Sequence, residues 1–201
     1  RDSFNPEIGS IDMAFALTFQ PLPDDLDWGD APVSDAAGGY PTLAVDNGAY
    51  HVIGGPYLGD DKDNPDAEPD GQPEAAALGD DTVGWDDEDG VVIPLLYVGQ
   101  TANVRFQVNG GGGYVTGWID FNANRQWDAG EAVISGLYKN GLYTTPVTVP
   151  RTAVIGETFA RFRISRQSGL TAVGPAEDGE VEDHRVVIRP QIPIDHFEPN
   201  N

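Results

Sequence analysis

Between residues 120 and 131 the chain sets oxygen-bearing side chains at a regular interval: Asp120, Asn122, Asn124, Gln126, Asp128 and Glu131. Counted from Asp120 as position 1, they fall at 1, 3, 5, 7, 9 and 12. A tight loop of this spacing turns alternate residues inward around a hard cation that takes six to eight oxygens, with position 7 serving through its backbone carbonyl. The pattern predicts a Ca²⁺ site. Arg125 stands at position 6, where the sharp turn normally calls for glycine. Only Asp120, Asp128 and Glu131 would bring negative charge, so weak binding is expected, in the roughly 10⁻⁴ to 10⁻³ M class of extracellular modules. The competing reading is a polar turn whose Asp and Asn side chains bond their own backbone without metal.

The residues leading into the loop, 114–121, alternate like a strand and show no helical period, so the loop is read as a connection between β-strands. From Gly90 onward the chain is a series of short β-rich runs punctuated by Gly, Pro and Asn: 91–98, 102–108, 114–121, 132–135, 142–149, 158–165 and 183–189. Such spacing predicts an all-β fold, an antiparallel β-sandwich of jelly-roll or immunoglobulin-like type with long acidic loops and little helix. Val104, Phe106 and Val108 share one face against Asn103, Arg105 and Gln107. Ala160, Phe162 and Ile164 likewise oppose Arg161 and Arg163. The apolar faces are the expected core.

Of 201 residues, 33 are acidic and 11 basic, for a net charge of −22. A field of that sign repels nucleic acid and anionic lipid, and no apolar run reaches membrane-spanning length, so neither nucleic-acid binding nor membrane insertion is expected. Residues 60–89 hold thirteen of the acids against Lys62 alone. This segment is either a solvated acidic loop or one neutralised by metal. Cysteine is absent, which removes disulfides, thiolate zinc sites and a thiol nucleophile. Weak calcium sites fill reliably only outside the cell, so a secreted, extracellular or cell-surface location is expected. The opening Arg1-Asp-Ser-Phe4 shows no charged-then-apolar leader and reads as a mature fragment or an excised module.

Residues 11–19 read as a strand, whereas 20–90 are mostly Pro, Gly, Asp and Ala, with apolar anchors only at 50–53 and 56–58. A stretch of that kind is a functional elaboration or an acidic arm pinned by metal. The three prolines after Arg189 make the end a linker or a strap. The expected organisation is an N-terminal strand or linker over 1–26, a sandwich domain over 27–189 and a Pro-rich linker over 190–201.

The string Asp178-Gly-Glu-Val-Glu-Asp183 resembles the hallmark of the GEVED domain, a family of modules found in large secreted bacterial proteins. Supporting strings follow in order, among them Asp27-Trp-Gly-Asp-Ala-Pro32, Asp66-Ala-Glu-Pro-Asp-Gly-Gln-Pro73, Asp86-Asp-Glu-Asp-Gly-Val91, Trp118-Ile-Asp-Phe-Asn122, Ala129-Gly-Glu131 and Ala160-Arg-Phe-Arg163. The resemblance runs from about Asp27 to Ile188. It implies an all-β accessory module with neighbouring domains in a larger secreted chain, of the kind found beside proteases, adhesive repeats and carbohydrate-active domains. Where the family usually shows Gly and Asp after the Asn of Trp-Ile-Asp-Phe-Asn, this chain has Ala123, Asn124 and Arg125, which implies a loop of lower affinity.

Two further groups are candidates. Glu180, Glu182 and Asp183, with Asp86, Asp87 and Asp89, could hold a second metal; alternatively the carboxylates after Gly179 pair with Arg161, Arg163 and Arg166. For a ligand, Trp85 and Tyr114 are the candidate aromatic platforms, Tyr114 following the Gly110 to Gly113 turn, with polysaccharide or another cell-surface polymer as the partner. Trp127 is read as a plug for the calcium loop, and Trp85 alternatively as an anchor for the acidic arm. His51, His184 and His196 lack zinc or serine-elbow spacing, so no catalysis is expected. A structural or adhesive spacer without a ligand beyond calcium stands beside the polymer binder.

Overall fold

The computed structural model describes residues 25–33, 39–60, 65–79 and 90–191. Twelve strands run in order through them. They are β1 (Leu26–Trp28), β2 (Tyr50–Val52), β3 (Tyr57–Leu58), β4 (Val91–Val92), β5 (Leu96–Tyr97), β6 (Thr101–Asn109), β7 (Gly113–Ile119), β8 (Ala132–Tyr138), β9 (Gly141–Thr148), β10 (Gly156–Ser165), β11 (Pro175–Ala176) and β12 (Glu180–Arg189). Two single 3₁₀ turns, Ala44–Asp46 and Ala129–Glu131, are the helical content of the described residues. The expected all-β sandwich is what the chain forms. The candidate strand over 11–19, the acids at 80–89 and the residues after 191 lie outside the described residues.

One sheet has the order β5-β12-β10-β7-β8, and the facing sheet is centred on β6, flanked by β9 on one edge and by β3 and β4 on the other. Their long pairings are antiparallel, whereas the short β5 pairs with β12 in parallel. Val104, Phe106 and Val108 of β6, Val115 and Ile119 of β7, and Ala160, Phe162 and Ile164 of β10 interdigitate in one core. Burial of each large apolar side chain there stabilises the fold by about 1.5–3 kcal/mol. Gly117 pairs with Phe162, and a Cβ at Gly117 would stand 2.3 Å from the phenyl ring, so the ring takes the space a side chain would need.

The opposite face of β10 is buried as well. Strand alternation correctly sends Arg161 and Arg163 away from the apolar core, yet both are wholly buried. A third, smaller sheet, β1-β2-β11, lies in the same region, and backbone around Pro41, Tyr50 and residues 171–174 covers the arginines. Arg161 donates to Asp183 and to the Pro41 and Ala172 carbonyls. Arg163 donates to the Thr171, Val173, Tyr50 and Gly174 carbonyls and, through Nε, to His51 Nε2 at 2.9 Å. A guanidinium carries five N–H donors in a fixed fork, and these bonds use them on carbonyls that would otherwise be buried without partners. The long Pro- and Gly-rich stretch is therefore held, in its described part, by two arginines of β10.

β1 begins at Leu26, one residue inside the expected linker, and packs Trp28 on Tyr50 at 4.5 Å between ring centroids. Described acids of the acidic segment also accept backbone N–H groups, near and distant: Glu68 accepts the Trp28 N–H, Asp70 the Ala44 and Gly71 N–H groups, and Glu74 the Ala76 N–H.

Candidate functional site

The strand of hallmark residues works on two sides. Alternation along β12 turns Glu180 and Glu182 inward and Val181 and Asp183 outward. Inward, Glu180 accepts the Leu58 N–H and Glu182 accepts the Gly90 N–H at 3.1 Å, so both carboxylates grip the edge of the facing sheet. The second Glu182 oxygen meets His184 Nε2 at 2.9 Å. Outward, Asp183 takes Arg161 in a bidentate pair and also accepts the Ala31 N–H at 2.8 Å. The Val181 N–H donates to Asp27 at 2.7 Å. Asp178, at the head of the string, accepts from Ser165 and pairs with the exposed Arg166 at 3.0 Å.

These contacts bear on the second candidate metal group. Glu180 and Glu182 project to one side of β12 and Asp183 to the other, so the three do not converge. Asp183 takes the pairing alternative with Arg161, and Asp86, Asp87 and Asp89 lie outside the described residues.

His51 is fully buried between the layers. Its Nδ1–H donates to the Asp178 carbonyl at 2.7 Å while Nε2 accepts from Arg163, an arrangement that requires the neutral Nδ1–H tautomer. Burial first, and the Arg163 charge second, hold its pKa well below the ordinary 6.5. Burial and the neighbouring Arg161 push Arg163 down to about 9, still a cation at neutral pH.

The 120–131 loop leaves β7 and closes on the second 3₁₀ turn. Asp120 is wholly buried and is the loop's hub: one oxygen accepts the Asn124 N–H, the other the Arg125 N–H at 2.8 Å and the Tyr40 hydroxyl at 2.6 Å. Burial, then the bond to Asp120, push the Tyr40 hydroxyl above its usual range and keep it a donor. Asn122 and Asn124 each accept an N–H two residues on, from Asn124 and Gln126 respectively. Ala123 and Arg125 take the left-handed conformation at φ 54° and 66°, so Arg125 adopts the backbone that glycine usually supplies at position 6.

Glu131 is engaged by the loop itself. One oxygen accepts the Phe121 and Asn122 N–H groups, the other the Asp128 N–H, and the Asp128 side chain caps the Glu131 N–H in return. Burial is the main cause that raises the Glu131 pKa, with Asp120 adding to it against the three N–H donors. Asp128 also accepts the side-chain amides of Asn122 and Asn124. Among the described residues no three His, Asp or Glu are grouped to hold a metal. Calcium here would need the Asn122 and Asn124 side-chain oxygens and the Gln126 carbonyl beside the carboxylates.

Next to the loop opens a cleft of about 670 Å³, walled by Gln126 and Trp127 on one side and by Tyr40, Asp46, Thr171 and Val173 on the others. Trp127 is half-buried, lying 4.2 Å over the Arg161 guanidinium and 4.5 Å from the Tyr40 ring. It is thus part of a wall and is held from behind by β10. Of the platforms expected from sequence, Tyr114 is a half-buried residue inside β7, paired with Ser165 and Leu137, and Trp85 lies outside the described residues.

A two-layer β-sandwich whose last strand staples both neighbours defines the class of module. The family model described as GEVED domain matches residues 114–187. The matched stretch is narrower than the resemblance from Asp27 to Ile188, although the earlier segment packs on it through Asp183, Arg161 and Arg163. No curated protein and no solved structure matches the chain.

Proposed function

We propose that this chain is a non-catalytic, calcium-stabilised extracellular accessory module that binds a surface polymer such as a polysaccharide, beside neighbouring domains of a larger secreted chain. The observation that carries the proposal is that Gln126 and Trp127, positions 7 and 8 of the candidate calcium loop, also form one wall of the cleft. Loop order and cleft shape are then one property. Calcium is supported by the left-handed Arg125, by the bonds from Asn124 and Arg125 to Asp120, and by a donor set of hard oxygens at the required interval. An extracellular setting follows from the weak affinity expected of such a site.

The spacer reading also has an observation in its favour: the carboxylates of the hallmark are engaged in joining layers of the fold. Affinity electrophoresis of the chain through neutral and acidic polysaccharide gels, with calcium and with EDTA, separates the two. Retardation that calcium supports and EDTA weakens is expected; unaltered migration in every gel leaves the spacer.

A further inference from the structure

Resting on the polymer-binding reading, we infer that the polymer lies along the 120–131 loop, in the cleft walled by Trp127, and that it is a neutral, hydroxyl-rich sugar chain. A second cleft of about 420 Å³, reached by Ala123, Arg125 and Glu157, shares Val33 and Tyr40 with the first. The two clefts share a wall and border one loop, and taken together they are the proposed groove. A groove suits an extended chain, whereas a single closed pocket suits a small molecule.

The lining has the composition that sugar recognition needs. Trp127 supplies a flat apolar surface, and its position is fixed before any ligand arrives by the Arg161 guanidinium at 4.2 Å and the Tyr40 ring at 4.5 Å. An aromatic wall fixed in advance loses little side-chain freedom on binding. Around it stand groups that match hydroxyls: the Asp46 carboxylate as acceptor and the Gln126 amide as donor and acceptor. The Thr171 hydroxyl donates to the Val173 carbonyl at 2.7 Å, which leaves its lone pairs to accept. Asp46 and Glu157 in the groove and the net charge of −22 disfavour an acidic chain.

The groove differs from the Trp85 and Tyr114 platform expected from sequence. Its walls come from residues 32–33, 39–46, 123–127, 157–159 and 171–173, brought together by the covering of β10.

The test is affinity electrophoresis of the 201-residue chain in calcium buffer through gels containing soluble β-glucan, mannan, galactan or hyaluronan. The variants are Trp127→Ala and the double variant Asp46→Ala with Thr171→Ala. We expect at least one neutral polymer to retard the wild type, and Trp127→Ala to weaken that binding by about tenfold or more, as removal of a central aromatic contact does. Trp127 rests on Arg161, so if Trp127→Ala fails to fold the decision passes to the double variant, whose side chains are exposed. Weakened retardation of the folded double variant supports the groove. Retardation by a neutral polymer that every folded variant retains overturns the groove and leaves polymer binding standing. Retardation by hyaluronan alone overturns the ligand class, and no retardation of the wild type by any polymer overturns both the groove and the binding reading.

Discussion

Arg161 and Asp183 face each other across β10 and β12 in register, with Nε 2.7 Å from Oδ1 and Nη2 2.6 Å from Oδ2, and neither side chain reaches solvent. The guanidinium is at once the counter-charge of the hallmark aspartate, a donor to the carbonyls of two covering segments and the support beneath Trp127. A buried pair of this kind is weak evidence for net stability, because desolvating both ions offsets most of their attraction. Breaking it is another matter.

Asp183→Ala should destabilise the fold by about 3–5 kcal/mol, since it leaves Arg161 buried without its counter-charge. Replacing both partners, Arg161→Met with Asp183→Leu, should cost less than the sum of the single changes. Urea unfolding of Asp183→Ala reads the first statement, and a double-mutant cycle of the wild type, Arg161→Met, Asp183→Leu and their combination reads the second. Additive losses would mean the pair is not coupled.

His51 sets an acid limit on the same layer. In the unfolded chain its imidazole takes up a proton near 6.5, whereas in the fold burial and Arg163 oppose protonation. Below pH 6.5 the unfolded state therefore binds more protons, and stability falls as pH falls. The loss runs at about 1.4 kcal/mol per pH unit until the folded group itself protonates, and it is absent above that range. Urea midpoints from pH 7.5 down to 5.5 should show it. His51→Gln, which keeps a donor and an acceptor but does not titrate, should lower stability at pH 7.5 and flatten the slope; an unchanged slope would place the acid sensitivity elsewhere.

The long strands were legible because each writes its buried face into the chain with a period of two. Val104, Phe106 and Val108 needed no other information. The same alternation left the surroundings of Arg161 and Arg163 open, for it separates apolar from polar and does not distinguish solvent from a buried polar layer. What covers those arginines is supplied by carbonyls of residues 41, 50 and 171–174, the first two far away in sequence, and a carbonyl carries no residue-type signal. The short strands β1 and β11 escaped detection for that reason. The spacing within 120–131 is local, so the loop could be read directly. The cleft beside it joins three distant segments, and Trp127 could only be read as a plug until Tyr40 and Thr171 stood opposite.

Gly179, in the hallmark, shows a backbone requirement of the same region. Its φ is 102°, its N–H donates to the Gly54 carbonyl at 2.8 Å, and a Cβ would stand 1.8 Å from the Ile164 carbonyl oxygen. Gly179→Ala should destabilise by about 3 kcal/mol, combining a disfavoured φ with overpacking. Gly130→Ala, where a Cβ meets no atom within 4 Å, is the matched control and should change little. A urea midpoint for Gly179→Ala equal to that of the control would refute the steric argument.

Calcium makes the last prediction. If Asp120, Asn122, Asn124, Asp128, Glu131 and the Gln126 carbonyl take one Ca²⁺, the chain should melt higher in calcium than in EDTA, by an increment that grows with calcium concentration. At 100 times the dissociation constant that increment corresponds to about 2.7 kcal/mol. Sodium chloride alone should not reproduce it, since screening of the −22 net charge is not site binding. Asp120→Ala would confound the result by removing the acceptor for Tyr40, Asn124 and Arg125, so Asp120→Asn is the better probe. Its amide oxygen can still accept while the negative charge is gone. Calorimetric titration should show one ion fewer, or affinity reduced beyond measurement, for Asp120→Asn and for Glu131→Gln. Wild-type stoichiometry and affinity in both variants would assign the loop to the polar-turn reading, with its Asx bonds as the reason for the spacing.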